Sequence, residues 1–570
     1  MRALTAPLYE LSEFEEIRKL LKKPGKYAAL TGCVESQKLH MAYGLSEGLR
    51  CRLIVTFSDQ RMKELQEDYR FYDRNTTCFP ARDVIFYQAD IHGNQLTKER
   101  IRCFRRMMEG RPFTVVTTFG SLLAPQIPLS VFRDNVITVS CNGSLDEKKM
   151  AEELVKLGYE NVYQVEAPGQ FSIRGGIIDI FDLTEENPYR IELWGDDVES
   201  IRSFDVQSQR SIEKLSSVTI YPACELILTE EQLKKGMERI EKESKRFSEK
   251  LRKEFKTEEA HRVEEQMNTL KEEVFAYKSL ANLDGYVRYF YEDTVSFLNC
   301  LDVENSIVFL DEPARIREHA SAVELEFRES MSHRLEKGYI LPGQADFLYS
   351  VAEVTARMSA FRLASLAALD LKGGLLKPDW KADISAKSIS SYNNSFEALV
   401  SDLQRYKKNG YRVLLLSGSR TRAKRLAADL SEDGLTSFYT EDPDREIKPG
   451  EIMTFYGRVF RGFEYPLLKF AVISESDIFG AEKKKKKKKK QYEGRKINDF
   501  SELSVGDYVV HENHGLGIYQ GIEKVEVEKV VKDYIKISYR DGGILYVLAT
   551  GLDVIQKYAS ADAKVPKLNK

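Results

Sequence analysis

An apolar run, Tyr27 to Thr31 (YAALT), ends on Gly32 and gives way to a helical stretch from about Ser36. Strand, glycine and helix in that order constrain the fold most, because a strand feeding a crossover helix belongs to a parallel sheet covered by helices. The alternation continues with a strand at Leu53 to Phe57 (LIVTF), a helix near Thr97 to Met108 and a strand at Phe113 to Thr117 (FTVVT). An amphipathic helix, Ser12 to Leu21, precedes the series. Near Ile307 the same signature resumes with IVFLDEP.

Between these blocks the texture changes. From about Val136 to Tyr221, closely spaced strand candidates are broken by Pro168-Gly169, Gly175-Gly176, Asn187-Pro188 and Gly195-Asp196. That pattern predicts a small, mostly antiparallel insert. Thr229 to Val274 carries Glu and Lys at helical spacings and reads as a solvated helical connector. Further on, NGYRVLLLSGSRTRAKRLAADL holds a strand at Val413 to Leu416, a turn at Ser417-Gly418-Ser419 and a helix. The turn could cup a phosphate at the helix N-terminus or simply join strand to helix. Eight lysines, Lys483 to Lys490, repel one another at i,i+4 and should stay extended, as a tether or a phosphate contact. In the last module Ile535, Ile537 and Tyr539 alternate with Tyr534, Lys536 and Ser538, and Asp541-Gly542 supplies a hairpin turn. Four or five short strands there suggest a small β-barrel.

Composition limits what such a chain can do. It has 570 residues, 42% apolar and 31% charged, with no apolar run near the ~20 residues that span a bilayer. No secretory signal opens it, and seven scattered cysteines without a C-x-x-C pair suit reduced thiols in a cytoplasm and argue against a zinc ribbon. Lys plus Arg is 86 against 89 Asp plus Glu; without the lysine run the basic count falls to 78. A chain that gripped duplex DNA along its length would need a basic stripe, so protein partners, or small patches for DNA, are expected. His511 and His514 stand at a turn with no cysteine near, and no metal site is expected.

The segment ALTGCVESQKLHMAYGL has the context of a phosphate loop, strand to glycine to helix, but not its parts. Laying G-x-x-x-x-G-K-[ST] on Gly32 puts Gln37 at the second glycine, Lys38 at the lysine and Leu39 at the hydroxyl. A side chain at the second glycine occupies the space a phosphate needs, and leucine offers magnesium no oxygen. The apolar strand ending in Asp311-Glu312 stands where a motor enzyme would hold its magnesium-linked water. The pair of remnants reads as a lobe that keeps a motor's fold without its chemistry, with no catalytic residue expected.

TGCVESQKLHMAYGL, FPARDVIFYQADIHGNQLTKERI, RGGIIDIFDLTEENPYRIELWGDDVESIRSFDVQSQRS and FLDEPARI resemble the B component of the bacterial excinuclease with its phosphate loop eroded. The tail, from GDYVVHENHGLGIYQGI through DGGILYVLATGLDVIQKY, resembles the polymerase-interacting module of the CarD family. Together, in this order, they resemble the family of bacterial transcription-repair coupling factors. The resemblance implies an α/β multidomain chain. Residues 1–135 open a degenerate P-loop helicase-like domain, 136–221 are an insert docking the excinuclease A subunit, and 222–350 continue the first domain with charged helices. A second α/β domain follows at 351–480, then a Lys-rich linker at 481–497 and a Tudor/SH3-like barrel at 498–570. It also implies an N-terminal portion without the family's C-terminal translocase, for which ATP and Mg²⁺, and most DNA contact, would be reserved.

Strand alternation in YRIELW puts Tyr189, Ile191 and Leu193 on one side and Arg190, Glu192 and Trp194 on the other. Trp and Arg are the residues most enriched among interface hot spots. By resemblance, Arg174, Arg190 and Trp194 match the positions with which the family contacts the excinuclease A subunit. The family often has Phe where Trp194 stands. The alternative is a Trp194 packed under a neighbouring domain and arginines in ordinary surface pairs. Val510, Glu512, Ile518, Tyr519 and Leu545 lie on or beside the expected edge strands, which by resemblance pair with the RNA polymerase β subunit; their alternative is barrel core. The expectation is a cytoplasmic, monomeric, non-catalytic scaffold in transcription-coupled nucleotide excision repair. Its rivals are an ATP-dependent helicase-like repair enzyme and a CarD-like transcription regulator.

Overall fold

The computed structural model describes the chain apart from residues 83–93, 277–282, 292, 372, 481–493, 497–503, 512–514, 528–529, 539–543, 549–554 and 559–570. The lysine run, Glu512, His514 and the Asp541-Gly542 turn therefore lie outside the described residues.

Seven strands form the first sheet, in the order Trp380–Asp383, Tyr27–Thr31, Arg362–Leu366, Ser306–Asp311, Cys51–Thr56, Phe113–Thr118 and Thr76–Phe79. Every neighbouring pair is parallel. Its central strand is buried at each of its six residues, as a strand covered on both faces must be. The period of two divides the strands between two cores. Leu53, Val55, Val308 and Leu310 face one, shared with the insert and the charged helices. Ile54, Ile307 and Phe309 face the other, where Leu39 and Met41 meet Leu414, Leu416, Met453 and Phe470 of the next sheet. The sequence-based division at residue 351 falls inside this first sheet, which takes in Arg362–Leu366 and Trp380–Asp383 before the chain leaves it.

The second sheet has six strands, Lys387–Ser388, Phe463–Tyr465, Phe470–Ser474, Arg412–Ser417, Ile452–Tyr456 and Ser437–Tyr439 in that order. The first two pairings are antiparallel and the rest parallel. The insert is mostly antiparallel, as expected: six strands from Glu160–Asn161 to Ser211–Leu215, only the first pair parallel. Ile137–Ser140 pairs with Ser217–Ile220, so the insert's two ends are clasped together.

The charged stretch is not a solvated connector. Glu230–Lys253 and Thr257–Lys271 are two helices joined at Glu254 to Lys256. Met237, Ile240, Phe247 and Leu251 of the first, at spacings of three, seven and four, bury one stripe with Ala260, Val263, Met267 and Leu270 of the second. The dense charges on the other faces mask that stripe in the sequence.

At the C-terminal end six strands pair antiparallel, in the order Gly494–Lys496, Ile555–Tyr558, Tyr508–His511, Gly515–Val527, Val530–Ser538 and Ile544–Leu548. Ile535 and Ile537 are buried, as their alternation predicts. Gly494–Lys496 forms an edge strand inside the span read as linker. Among the described residues no pairing joins the two edges, so what the structure carries is an antiparallel sheet.

Candidate docking face and the loop at Gly32

The outer face of the insert is set by its cross-strand pairs. Arg174 stands opposite Ile177, Asp179 opposite Arg190, and Ile177 opposite Glu192. Residues directly opposite share a face, so both arginines and Trp194 project from the same side while Ile178 and Ile191 pack beneath. Asp179, 1% exposed, is the residue that sequence reasoning missed. Its carboxylate accepts from Arg190 Nε at 2.7 Å and Nη2 at 2.8 Å, and from Arg174 Nη2 at 3.2 Å. The Arg190 guanidinium also donates to Gln209 at 2.9 Å and lies 4.4 Å over the Phe204 ring. Arg174 lies 5.6 Å over the ring of Tyr163. Asp179 was within reach of the sequence, since alternation in IIDI sets it on the face opposite Ile178 and Ile180.

Trp194 behaves differently. At the end of its strand, before the Gly195-Asp196 turn, it is 81% exposed. It does not pack under a neighbouring domain. The arginines are paired, yet within the sheet, which presents them as a fixed pair beside an unburied indole.

At the Gly32 loop the side chains turn inward. Gly32 has φ +67°, and a Cβ there would meet the Asp383 carboxylate at 2.7 Å. A non-glycine residue would meet both backbone strain and that carboxylate. Gln37 is fully buried. Its Oε1 accepts from the Val34 N–H at 3.1 Å, and its Nε2 donates to the Tyr465 hydroxyl at 3.0 Å. His40 continues the chain: Nε2 lies 2.8 Å from the Leu4 carbonyl and Nδ1 2.9 Å from the Tyr465 hydroxyl. A carbonyl can only accept, so Nε2 carries the proton and Tyr465 donates to Nδ1. Burial pushes His40 down to about 4, and the ring is neutral.

Lys38 does not face solvent. Its ammonium is buried against Asp311 at 2.8 Å and Glu312 at 2.5 Å. Burial pulls the Lys38 pKa down, but the two carboxylates outweigh it and leave the ammonium above its ordinary value. Burial acts the other way on Asp311, raising it, but Lys38 and Arg61 hold it low overall. Arg61 Nε reaches Asp311 at 3.2 Å and the Thr56 hydroxyl donates to it at 3.0 Å. Glu312 adopts φ +58°, in the left-handed region that non-glycine residues rarely occupy, and also accepts from the Ala368 N–H at 2.9 Å. Leu39 is buried in the core.

The turn at Ser417-Gly418-Ser419 is occupied from within. The Gly418 N–H donates to the Glu475 carboxylate, which also takes Arg422 at 2.7 Å, and Ser419 caps the following helix. In the C-terminal sheet Val510 and Tyr519 are buried and Ile518 half-buried, all on interior strands. Ile555–Tyr558 pairs with Tyr508–His511 and, with Gly494–Lys496 outside it, keeps that strand from the edge. Of the described residues named for docking there, only Leu545 lies on an edge strand, Ile544–Leu548.

Residues 137–226 match the family model of the UvrB interaction domain, and residues 503–559 that of the CarD-like/TRCF RID domain. The transcription-repair-coupling factor of Bacillus subtilis (strain 168) is 33% identical over 500 residues, 87% of this chain and 42% of that protein. The chain is a homologue of the transcription-repair-coupling factors. That of Staphylococcus aureus (strain MRSA252) is 28% identical over 575 residues, all of this chain and 48% of that protein. The chain thus spans about half the length of the curated relatives it matches. The candidate docking face lies inside the first matched domain, and five of the six strands of the C-terminal antiparallel sheet lie inside the second, Gly494–Lys496 falling outside it. Among the described residues no helix is long and apolar enough to cross a membrane.

Proposed function

We propose that this chain acts as a docking scaffold in transcription-coupled nucleotide excision repair, as a cytoplasmic monomer. Its insert binds the excinuclease A subunit through Arg174, Arg190 and Trp194, and its C-terminal sheet pairs with the RNA polymerase β subunit through Ile544–Leu548. The observation that carries this reading is the unburied Trp194 beside a clamped arginine pair, inside the stretch that matches the UvrB interaction domain. The arginines are already fixed by Asp179 and lose little freedom on binding, and an indole that a partner covers is among the side chains that dominate interface energies. A strand edge without a partner among the described residues offers main-chain pairing to another protein.

No nucleotide chemistry is assigned to the Gly32 loop. The residues present do not fit a nucleotide and its magnesium: Gln37 fills the loop, Lys38 is neutralised by Asp311 and Glu312, and Leu39 brings no oxygen. ATP and Mg²⁺ belong to the family's translocase.

The test is titration of the purified excinuclease A subunit into this chain by calorimetry. Trp194→Ala should weaken binding by at least about tenfold, a hot-spot loss of about 1.4 kcal/mol or more. Adding Arg190→Ala should weaken it further. Unchanged affinity in both variants would remove the docking claim. A nucleotide seated with its metal beside Lys38 in a co-crystal would favour the helicase-like reading instead.

A further inference from the structure

A cleft of about 1290 Å³ opens between the two α/β units. One wall is the end of the helix Asp59–Tyr69 and the loop after it; the other is formed by the carboxyl ends of Arg412–Ser417 and Ile452–Tyr456 with the helix Arg420–Glu432. Ligands of open α/β sheets bind beyond the carboxyl ends of the strands, and this cleft occupies that position on the second sheet. The approach of the walls is built in: a Cβ at Gly457 would meet the Phe71 ring at 2.1 Å.

The lining is basic and aromatic in a chain that is acidic overall. Arg70, Arg74, Arg420, Arg422, Arg425 and Arg458 face four acids. Three of those acids pair with arginines of the helix wall: Glu441 with Arg420 at 3.2 Å, Glu475 with Arg422 at 2.7 Å and Asp429 with Arg425 at 3.8 Å; the fourth is Glu67. Arg74 on the first wall and Arg458 on the second are exposed and have no ion pair among the described residues. Between them Tyr456 is partly exposed, with Arg420 5.6 Å over its ring, and Phe71, Tyr72 and Phe455 are half-buried in the lining.

We propose that this cleft binds single-stranded nucleic acid. The volume exceeds that of most small-ligand pockets, roughly 300–1,000 Å³. The arginines without an ion pair come one from each wall, Arg74 from the first and Arg458 from the second, which suits a chain of phosphates running along the cleft rather than a single anionic group. Aromatic rings among them provide faces on which bases stack, and strands without sequence preference are held by that combination. The pairing of Arg420, Arg422 and Arg425 limits the charge to a local patch, consistent with the chain's overall acidity.

The experiment is fluorescence anisotropy of a labelled oligothymidylate titrated with the full chain at several salt concentrations. Wild type should bind at low salt. Arg74→Glu with Arg458→Glu should weaken binding at least about tenfold and lower the slope of log affinity against log salt by about 1.4, about 0.7 for each phosphate no longer neutralised. Tyr456→Ala should weaken it about fivefold or more through lost stacking. Both changes are at exposed positions, and an unaltered melting transition will show that the variants fold. Absence of wild-type binding overturns the proposal. So does binding that persists in both variants, which would place the strand elsewhere, and so does equal competition by polyglutamate, which would make the cleft a site for acidic peptides.

Discussion

The loop at Gly32 and the outer face of the insert both carry residues of the types that do work in proteins, and they use them in opposite ways. At the loop, lysine, two carboxylates, arginine, glutamine, tyrosine and histidine bond to one another and none is left to meet a ligand. On the insert face, Asp179 holds two arginines, but the neighbouring Trp194 is left 81% exposed. A buried ionic cluster is expensive to assemble and does not tolerate loss of a member. An exposed indole contributes little to the fold and gains value only when a partner covers it. The contrast teaches that a site's readiness for function lies in what is left unsatisfied or uncovered, not in which residue types are present.

The severest way to break this contrast is Lys38→Ala, which takes the ammonium from two buried or half-buried carboxylates and leaves Asp311 with Arg61 and Thr56 and Glu312 with the Ala368 N–H. It should cost about 3–5 kcal/mol in urea unfolding; a variant as stable as wild type would show that the cluster is not closed. Next in size, Tyr465→Phe removes the hydroxyl between Gln37 Nε2 and His40 Nδ1 and should cost about 2 kcal/mol. A loss below about 0.5 kcal/mol would mean that water replaces it.

The same region contains a pH-sensitive contact between the two α/β units. Asp68 accepts from the Ser36 hydroxyl at 2.6 Å and from the Phe460 N–H at 2.7 Å. Burial raises Asp68 from 3.8 to about 6. A carboxyl raised on folding binds its proton more tightly in the native state, so its stabilising contribution is complete below about pH 4 and is lost as pH rises through about 6. Relative to Asp68→Asn, wild type should therefore gain about 1 kcal/mol of stability between about pH 7 and pH 5. A difference that does not change with pH would refute the assignment. The smallest stability effect sharpens the other side of the contrast: Trp194→Ala should alter unfolding by less than about 0.5 kcal/mol while weakening excinuclease binding. A large loss of stability would make the tryptophan part of the fold.

Much of the framework was legible in the sequence. The strand Tyr27–Thr31, the helix beginning near Ser36, the central strand ending at Asp311 and the antiparallel insert all follow from the spacing of apolar residues and turn formers. The orientation of Arg190 and Trp194 followed from a period of two. Other features were hidden for identifiable reasons. The buried stripe of the charged helices was concealed by the abundance of charge around it. The edge strand Gly494–Lys496 carries no apolar alternation, and its partner lies some sixty residues away.

Local chemistry alone therefore determined which segments become strand or helix, that the loop lacks a second glycine and a hydroxyl, and that one face of the insert is polar. Whether each polar group is free or spent was decided only in three dimensions. Lys38 meets Asp311 across 273 residues, and Gln37 meets Tyr465 across 428. The physical reason is that hydrogen bonds and ion pairs act over a few ångströms in space, whereas the order of the chain reports only distance along it.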